Sequence, residues 1–373
     1  MNGKHRRPHN NQPLQLALAG VCVALLSGCI FDDDDNPGES ASTRCTVTSR
    51  IWGTGDAGLV NGCQPAARFS NPVNVEVSGN VRAYVADFDN DVVRAIALDG
   101  RVTTLVTMPA NSRPFGLTLG MGLDSNNLYV QTDGNANGER DSAVGTGTLW
   151  RVNLAATPVV ATVIATGLGR PRGIQALPDG RIAMSDYTRH DITVIDPDTA
   201  METPLAGTEA LVADGPGDFA NGVGEEALFN QPYGMGLLDA NTLLVADKGN
   251  HCLRQVTLEG VVTTFAGICE MSGDDNGTLD IATFNAPQDV AIAGGNIYVA
   301  DIGNHLIRRI NGGSVFTQAG NGMAGFVDDT GTNASFFGME GIAISADGSV
   351  LVIADGTGGE DVPFNRVRIL AVP

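Results

Sequence analysis

Short apolar runs recur along this chain, and polar turn residues interrupt them at close intervals. "RAYVAD" (82–87), "TLLVAD" (242–247) and "NIYVAD" (296–301) are typical. Each is too short for a helix, rich in Val, Leu, Ile and Tyr, and bounded by Gly, Asp or Asn, which predicts a strand. Around these runs the order of signals repeats. A Phe-Asn-x-Pro segment, as at Phe229 and Phe284, leads into a strand such as "GMGLL", a turn and a strand ending in aspartate. An "NHxIRxI" strand, a two-residue turn such as Glu259-Gly260 or Asp99-Gly100 and a strand like "VVTTFAG" follow. The pattern predicts four strands per unit.

Aligned on the aspartate, the units bring Asp87, Asp186, Asp247, Asp301 and Asp355 into register, with Thr132 in that place in a sixth copy. The steps are 45, 54, 61, 54 and 54 residues. Four-stranded units at that period predict an all-β, six-bladed propeller. The two chain ends fit together: "NRVRILAV" is a third strand without a fourth, and "CTVTSRIWGTG" a fourth without its first three. Joined, they complete the last blade and leave no open edge.

The runs "NHC" at Asn250 and "NHL" at Asn304 give the chain a resemblance to the NHL-repeat β-propellers, over 45–373. It is strongest in copies one, four and five; copies two and three are degenerate. Repeated Asp, His and Arg could be copies of a catalytic constellation or struts copied with the unit they brace. The mature chain has three histidines, His190, His251 and His305, all at the start of a third strand. Strands ~4.8 Å apart place them roughly 16 Å from the axis and as far from one another, so they share no metal. Asp247, Asn250, His251 and Arg254, with Asp301, His305 and Arg308 in the next copy, are therefore read as within-blade hydrogen-bond sets.

The first residues change the picture of location. Lys4, Arg6 and Arg7, an apolar stretch from Leu14 to Leu26 and "LSGC" ending at Cys29 resemble a bacterial lipoprotein signal. That implies a signal peptide over 1–28, lipid on Cys29, an acidic flexible tether over 29–44 and the propeller over 45–373. Ile30 leans the expectation toward the outer membrane. The apolar stretch is too short for a permanent span, so the membrane is met through the lipid anchor only. After cleavage, 19 basic and 42 acidic side chains remain, a net charge of −23. Such a surface disfavours nucleic acid. Four cysteines are left for an oxidising compartment: Cys45, Cys63, Cys252 and Cys269. Local pairs, 45 with 63 and 252 with 269, are favoured among three connectivities.

Candidate chemistry is sought where the copies differ, at the axial ends of the innermost strands. Two residues after the leading proline stand Gly116, Gly173, Gly234 and Gly341, but Asn74 and Asp289 in the other two units. One residue earlier are Val73, Phe115, Arg172, Tyr233, Gln288 and Glu340. Asn74, Asp289 and Glu340 are candidates to converge on a cation, and Arg172 with Tyr233 to meet an anionic or cyclic ligand. In the second unit's insertion, Asp133, Asn135, Asn137 and Asp141 follow a calcium-loop spacing, which makes Ca2+ the candidate cofactor; Val144 stands where that loop needs Glu. The chain is expected to be a monomeric binding or scaffolding module for protein or glycan partners. The alternative is a metal-dependent hydrolase or lyase using the channel, by similarity to the gluconolactonase propellers, whose motif contexts are missing here.

Overall fold

A computed structural model describes residues 45, 51–64, 66–78, 82–140, 145–208, 217–356 and 364–373. They fall in one unit, Arg44–Pro373. The signal segment, Cys29, the tether and Asp141 lie outside the described residues.

Six antiparallel sheets follow one another along the chain. Their first strands are Pro72–Ser78, Pro114–Leu119, Pro171–Ala176, Pro232–Asp239, Pro287–Ala293 and Met339–Ile344. Each packs against the first strands before and after it, and the sixth against the first, so they form a closed ring about the axis. The last blade is closed as expected: Ile51–Gly55 pairs antiparallel with Asn365–Ala371, with Ile51 opposite Arg368. The fourth and fifth blades add to the expected four strands a two-residue fifth, Gly222–Val223 and Gly277–Thr278, on their outer edges. These shorten the exposed edge of the outermost strand.

The hydrophobic core lies between blades. One apolar cluster joins Trp52, Val352 and Val367 of the sixth blade to Val75 and Val85 of the first. Another joins Ala183 and Val194 of the third to Val245 and Val256 of the fourth. A middle strand therefore buries both faces, which is why Leu243, Leu244, Val245 and Ala246 are apolar without alternation and all inaccessible. The outermost strand Val261–Ala266 instead buries only Val262 and Ala266 and leaves Val261, Thr263 and Thr264 exposed.

The repeated aspartates are struts. Asp247 Oδ2 accepts from Arg254 and Asn250, each at 2.8 Å, and Oδ1 accepts from the Asn230 amide. Arg254 also donates to the Leu228 and Ala220 carbonyls and to Asn221, and lies over the Phe219 and Phe229 rings. The ion pair thus ties the second and third strands to the loop that leads into the same blade. Asp87–Arg94, Asp301–Arg308 and Asp355–Arg368 repeat it at 2.8, 2.9 and 2.9 Å. In the second blade Trp150 takes the arginine's place, its indole donating to Thr132 Oγ1 at 2.9 Å. In the third, Asp186 is held by Thr188 and the amides of Arg170 and Arg189.

The histidines correct part of the expectation. His190, His251 and His305 adopt left-handed backbone, φ 60°, 57° and 54°, which turns their side chains out of the within-blade set toward the next blade. The Gln231 amide donates to His190 Nδ1 at 2.8 Å and the Ala286 amide to His251 Nδ1 at 2.9 Å; His305 Nδ1 lies 3.1 Å from the Phe337 carbonyl. Asp91, also left-handed, accepts from the Asn111 and Arg113 amides in the same way. Asn365 accepts from Asn71 across the closure. Aspartate and arginine brace the first, fourth, fifth and sixth blades, while the αL residue of the first, third, fourth and fifth latches each to its successor.

The disulfides are the two local pairs, Cys45–Cys63 and Cys252–Cys269, with Cα atoms 5.3 and 5.0 Å apart.

Candidate functional site

The innermost strands are irregular where they begin. Their pairing with the second strands shifts register between Pro72 and Asn74, Pro171 and Gly173, Pro287 and Asp289, and Met339 and Gly341. Such bulges re-aim side chains, and here they divide the axis into two cavities with no lining residue in common.

The residue after the leading proline faces a cup on one side of the ring. Its volume is about 210 Å³, and it is lined by Val73, Phe115, Arg172, Tyr233 and Glu340 together with Phe88, Tyr187 and Lys248. The residue two after the proline begins a channel of about 240 Å³ lined by Asn74, Glu76, Gln175, Asp289 and aliphatic side chains. The five axial candidates are therefore not one constellation. Arg172, Tyr233 and Glu340 share the cup, and Asn74 and Asp289 share the channel. The cation site expected from Asn74, Asp289 and Glu340 is not assembled. Both Asp289 oxygens are occupied, Oδ1 by the Val290 amide and Oδ2 by the Ile342 amide of the next blade. The glycines at this ring have a steric reason. A Cβ on Gly234 would stand 2.0 Å from Asp289 Oδ1, and one on Gly341 would stand 2.6 Å from Asn74 Cα.

Desolvation raises the channel carboxyls, Glu76 to about 8 and Asp289 to about 7, with the Leu119 amide and the Ile342 and Val290 amides opposing it. They hold protons near neutrality and stitch adjacent innermost strands together, since Glu76 also accepts from the Leu119 amide of the next blade at 3.3 Å.

The cup has an aromatic wall of edge-to-face rings, Phe88–Phe115, Phe115–Tyr233 and Tyr187–Tyr233, with centroids 5.9, 5.7 and 5.9 Å apart. Lys248 Nζ lies 4.6 Å from the Tyr233 centroid and 5.6 Å from that of Tyr187. Among the described residues it makes no hydrogen bond or ion pair. Burial lowers its pKa, Glu340 opposing and Arg172 adding to the shift. Across the cup, burial raises Glu340 to about 7 against the pull of Lys248 and Arg172. The Tyr233 hydroxyl donates to Glu340 Oε2 at 3.4 Å, and burial keeps that phenol protonated.

The described part of the second-unit insertion is not arranged as the expected calcium loop. Asp133 is buried and turned to the guanidinium of Arg172 through both oxygens, with Arg140 and Arg170 each 3.6 Å from Oδ2. Arg172 holds it ionised, below the usual carboxylate range, against burial. Three guanidinium groups there oppose a divalent cation. Asn135 Oδ1 accepts from the Asn137 and Glu139 amides and so caps its own turn. Among the described residues no group of three His, Cys, Asp or Glu side chains is placed to hold a metal.

Lys248 escapes a reading of the repeat because it sits inside "VADKGNH", immediately after the strut aspartate. Across the copies that position holds Phe88, Asp133, Tyr187, Lys248, Ile302 and Gly356. It diverges as much as the ring after the proline, and the two rings together build the cup.

Comparison with known proteins agrees with the architecture. The NHL repeat family model matches residues 284–310, which include Asp301, His305 and Arg308, and the LVIVD repeat model matches residues 71–93. NHL repeat-containing protein 2 of Bos taurus is 32% identical over 130 residues, 32% of this chain and 18% of that protein. The chain spans only 9 to 18% of the length of the curated relatives it matches. Among solved structures, an auxiliary nutrient binding protein from Bacteroides ovatus superposes with a TM-score of 0.63 at 18% identity, covering 84% of this chain and 72% of that one. Virginiamycin B lyase from Staphylococcus aureus superposes with a TM-score of 0.51 at 14% identity, covering 82% and 96%. At such identities the likeness is one of fold.

Proposed function

Starting from a six-bladed propeller that carries NHL repeats, we propose that this chain is a binding module of the cell envelope, and that the cup, rather than the channel, takes its ligand. One observation carries this. The cup joins aromatic walls to a half-buried ammonium that lies on two tyrosine faces and has no hydrogen-bond or ion-pair partner among the described residues. A cup of about 210 Å³ is the size for one small ligand, such as a monosaccharide. Glycan fragments are thus more fitting occupants than a protein loop. The fold shared with a nutrient binding protein supports a binding role. The channel is a poorer active site, because the Asp289 carboxylate is spent on backbone amides.

A melting-shift panel of neutral sugars, sugar acids, amino sugars, amino acids and nucleosides tests the site. At least one compound is expected to raise the melting temperature of the parent and not of Lys248→Ala. A panel in which every stabilising compound acts equally on both proteins would contradict the cup.

The envelope placement rests on the lipobox-like "LSGC". Replacing Cys29 by Ser is expected to abolish labelling by a palmitate analogue, and equal labelling of both proteins would refute the anchor.

A further inference from the structure

We propose that the cup's ligand is a hexuronic acid or a close equivalent: a single hydroxylated ring whose carboxylate meets Lys248 and whose hydroxyls meet Glu340 and Tyr233. This rests on the cup being the binding site. Two independent observations lead to the anionic group.

The first is local charge. The chain is acidic throughout, net −20 at pH 7. Yet around the cup five cationic side chains gather against three facing carboxyls among the described residues, with Asp91 and Asp186 behind them on the Arg113 and Arg170 amides. Arg170, Arg172 and Lys248 line it. Arg113 and Arg140 flank the wall, 5.2 and 5.9 Å from the Phe88 centroid. The carboxyls are Glu340 itself, Asp133 shared by three of the arginines, and Asp89 paired with Arg113. A cationic recess in an anionic surface focuses its field on an anion.

The second is the lysine. The sequence has only two lysines, Lys4 and Lys248, and uses arginine for every other cation. An ammonium is a compact point charge able to take a carboxylate oxygen from any direction, where a guanidinium demands a planar fork. Here it lies on two tyrosine faces without an acceptor among the described residues. Opposite it, Glu340 and the Tyr233 hydroxyl offer hydrogen-bonding groups suited to ring hydroxyls rather than to a second acid.

The titration of the cup agrees in sign. Glu340 faces Lys248, Arg172, Tyr233 and Asp133 and ionises near 7. Its charge opposes a bound carboxylate, so affinity falls as pH rises from about 6 to about 8, and Glu340→Gln flattens the profile.

The rarity of lysine supplies the test. Reductive 13C-methylation of the full chain places a reporter on Lys248 that keeps its charge, identified by its absence in Lys248→Arg. D-Glucuronate is expected to shift this resonance and raise its titration midpoint. Glucose and benzoate, lacking the carboxylate and the hydroxyls respectively, are expected to bind at least tenfold more weakly, and glucosamine not to move the signal. Lys248→Ala should lose at least tenfold in glucuronate affinity. Glucose or benzoate matching glucuronate, or glucuronate binding with the Lys248 resonance unmoved, would overturn the assignment. A neutral or cationic compound acting through the cup would overturn it while sparing the binding-module reading; no compound acting there would overturn both.

Discussion

Arg254→Ala is expected to destabilise the protein by about 3–5 kcal/mol, the cost of stranding a buried carboxylate. Both partners are inaccessible, and the guanidinium makes four hydrogen bonds that water cannot replace at that depth. The deficit should depend on pH. Burial already pushes Asp247 up to about 6, with Arg254 the largest opposing influence. Without Arg254 the folded-state pKa rises further above the unfolded value. Over the interval up to that pKa the native state binds more protons than the unfolded chain, so stability falls as pH rises. The gap between mutant and parent is therefore smaller at pH 5 than at pH 8 in urea unfolding. A gap that is absent, or that narrows toward pH 8, would count against the strut.

Opening the ring should have the other large effect. Trp52, 7% exposed, packs in the cluster between the sixth and first blades, and its indole donates to the Gly100 carbonyl at 3.1 Å. Trp52→Ala alone should cost about 3–5 kcal/mol. Deleting Cys45–Gly53 also removes the disulfide to Cys63 and bares the edge of Asn365–Ala371, so the protein should aggregate. Deleting Phe31–Glu39 should leave melting and size-exclusion behaviour unchanged. Indistinguishable behaviour of the two deletions would mean that the terminal strand does not hold the ring.

The fold was legible because its determinants are local and repeated. A strand of "TLLVAD" type, a turn and an arginine strand recur at nearly constant spacing, and the two incomplete ends complement each other. The struts were legible for the same reason, as Asp247 and Arg254 are seven residues apart. The role of His251 was not, because it depends on a left-handed turn that aims the ring at Ala286, 35 residues on. Asp133 misled for a related cause. Its spacing with Asn135 and Asn137 imitates a calcium loop, but its partner Arg172 comes from the next blade, 39 residues away. At the axis, Arg172, Tyr233 and Glu340 were visible as divergence after a shared proline. Their separation from Asn74 and Asp289 was not, since a bulge between adjacent residues sends one side chain to the cup and the next to the channel. Lys248 was hidden by its place within the most regular motif of the chain.

That division of labour, repeated residues holding the ring and divergent ones filling the cup, is tested most directly by melting Arg254→Ala and Lys248→Ala side by side, with and without the strongest cup ligand. A crossed result is expected. Arg254→Ala melts early, and its folded fraction binds with parental affinity. Lys248→Ala melts with the parent, because its ammonium makes no hydrogen bond or ion pair among the described residues, and the ligand no longer shifts it. Parental melting of Arg254→Ala, or a full ligand shift in Lys248→Ala, would contradict it.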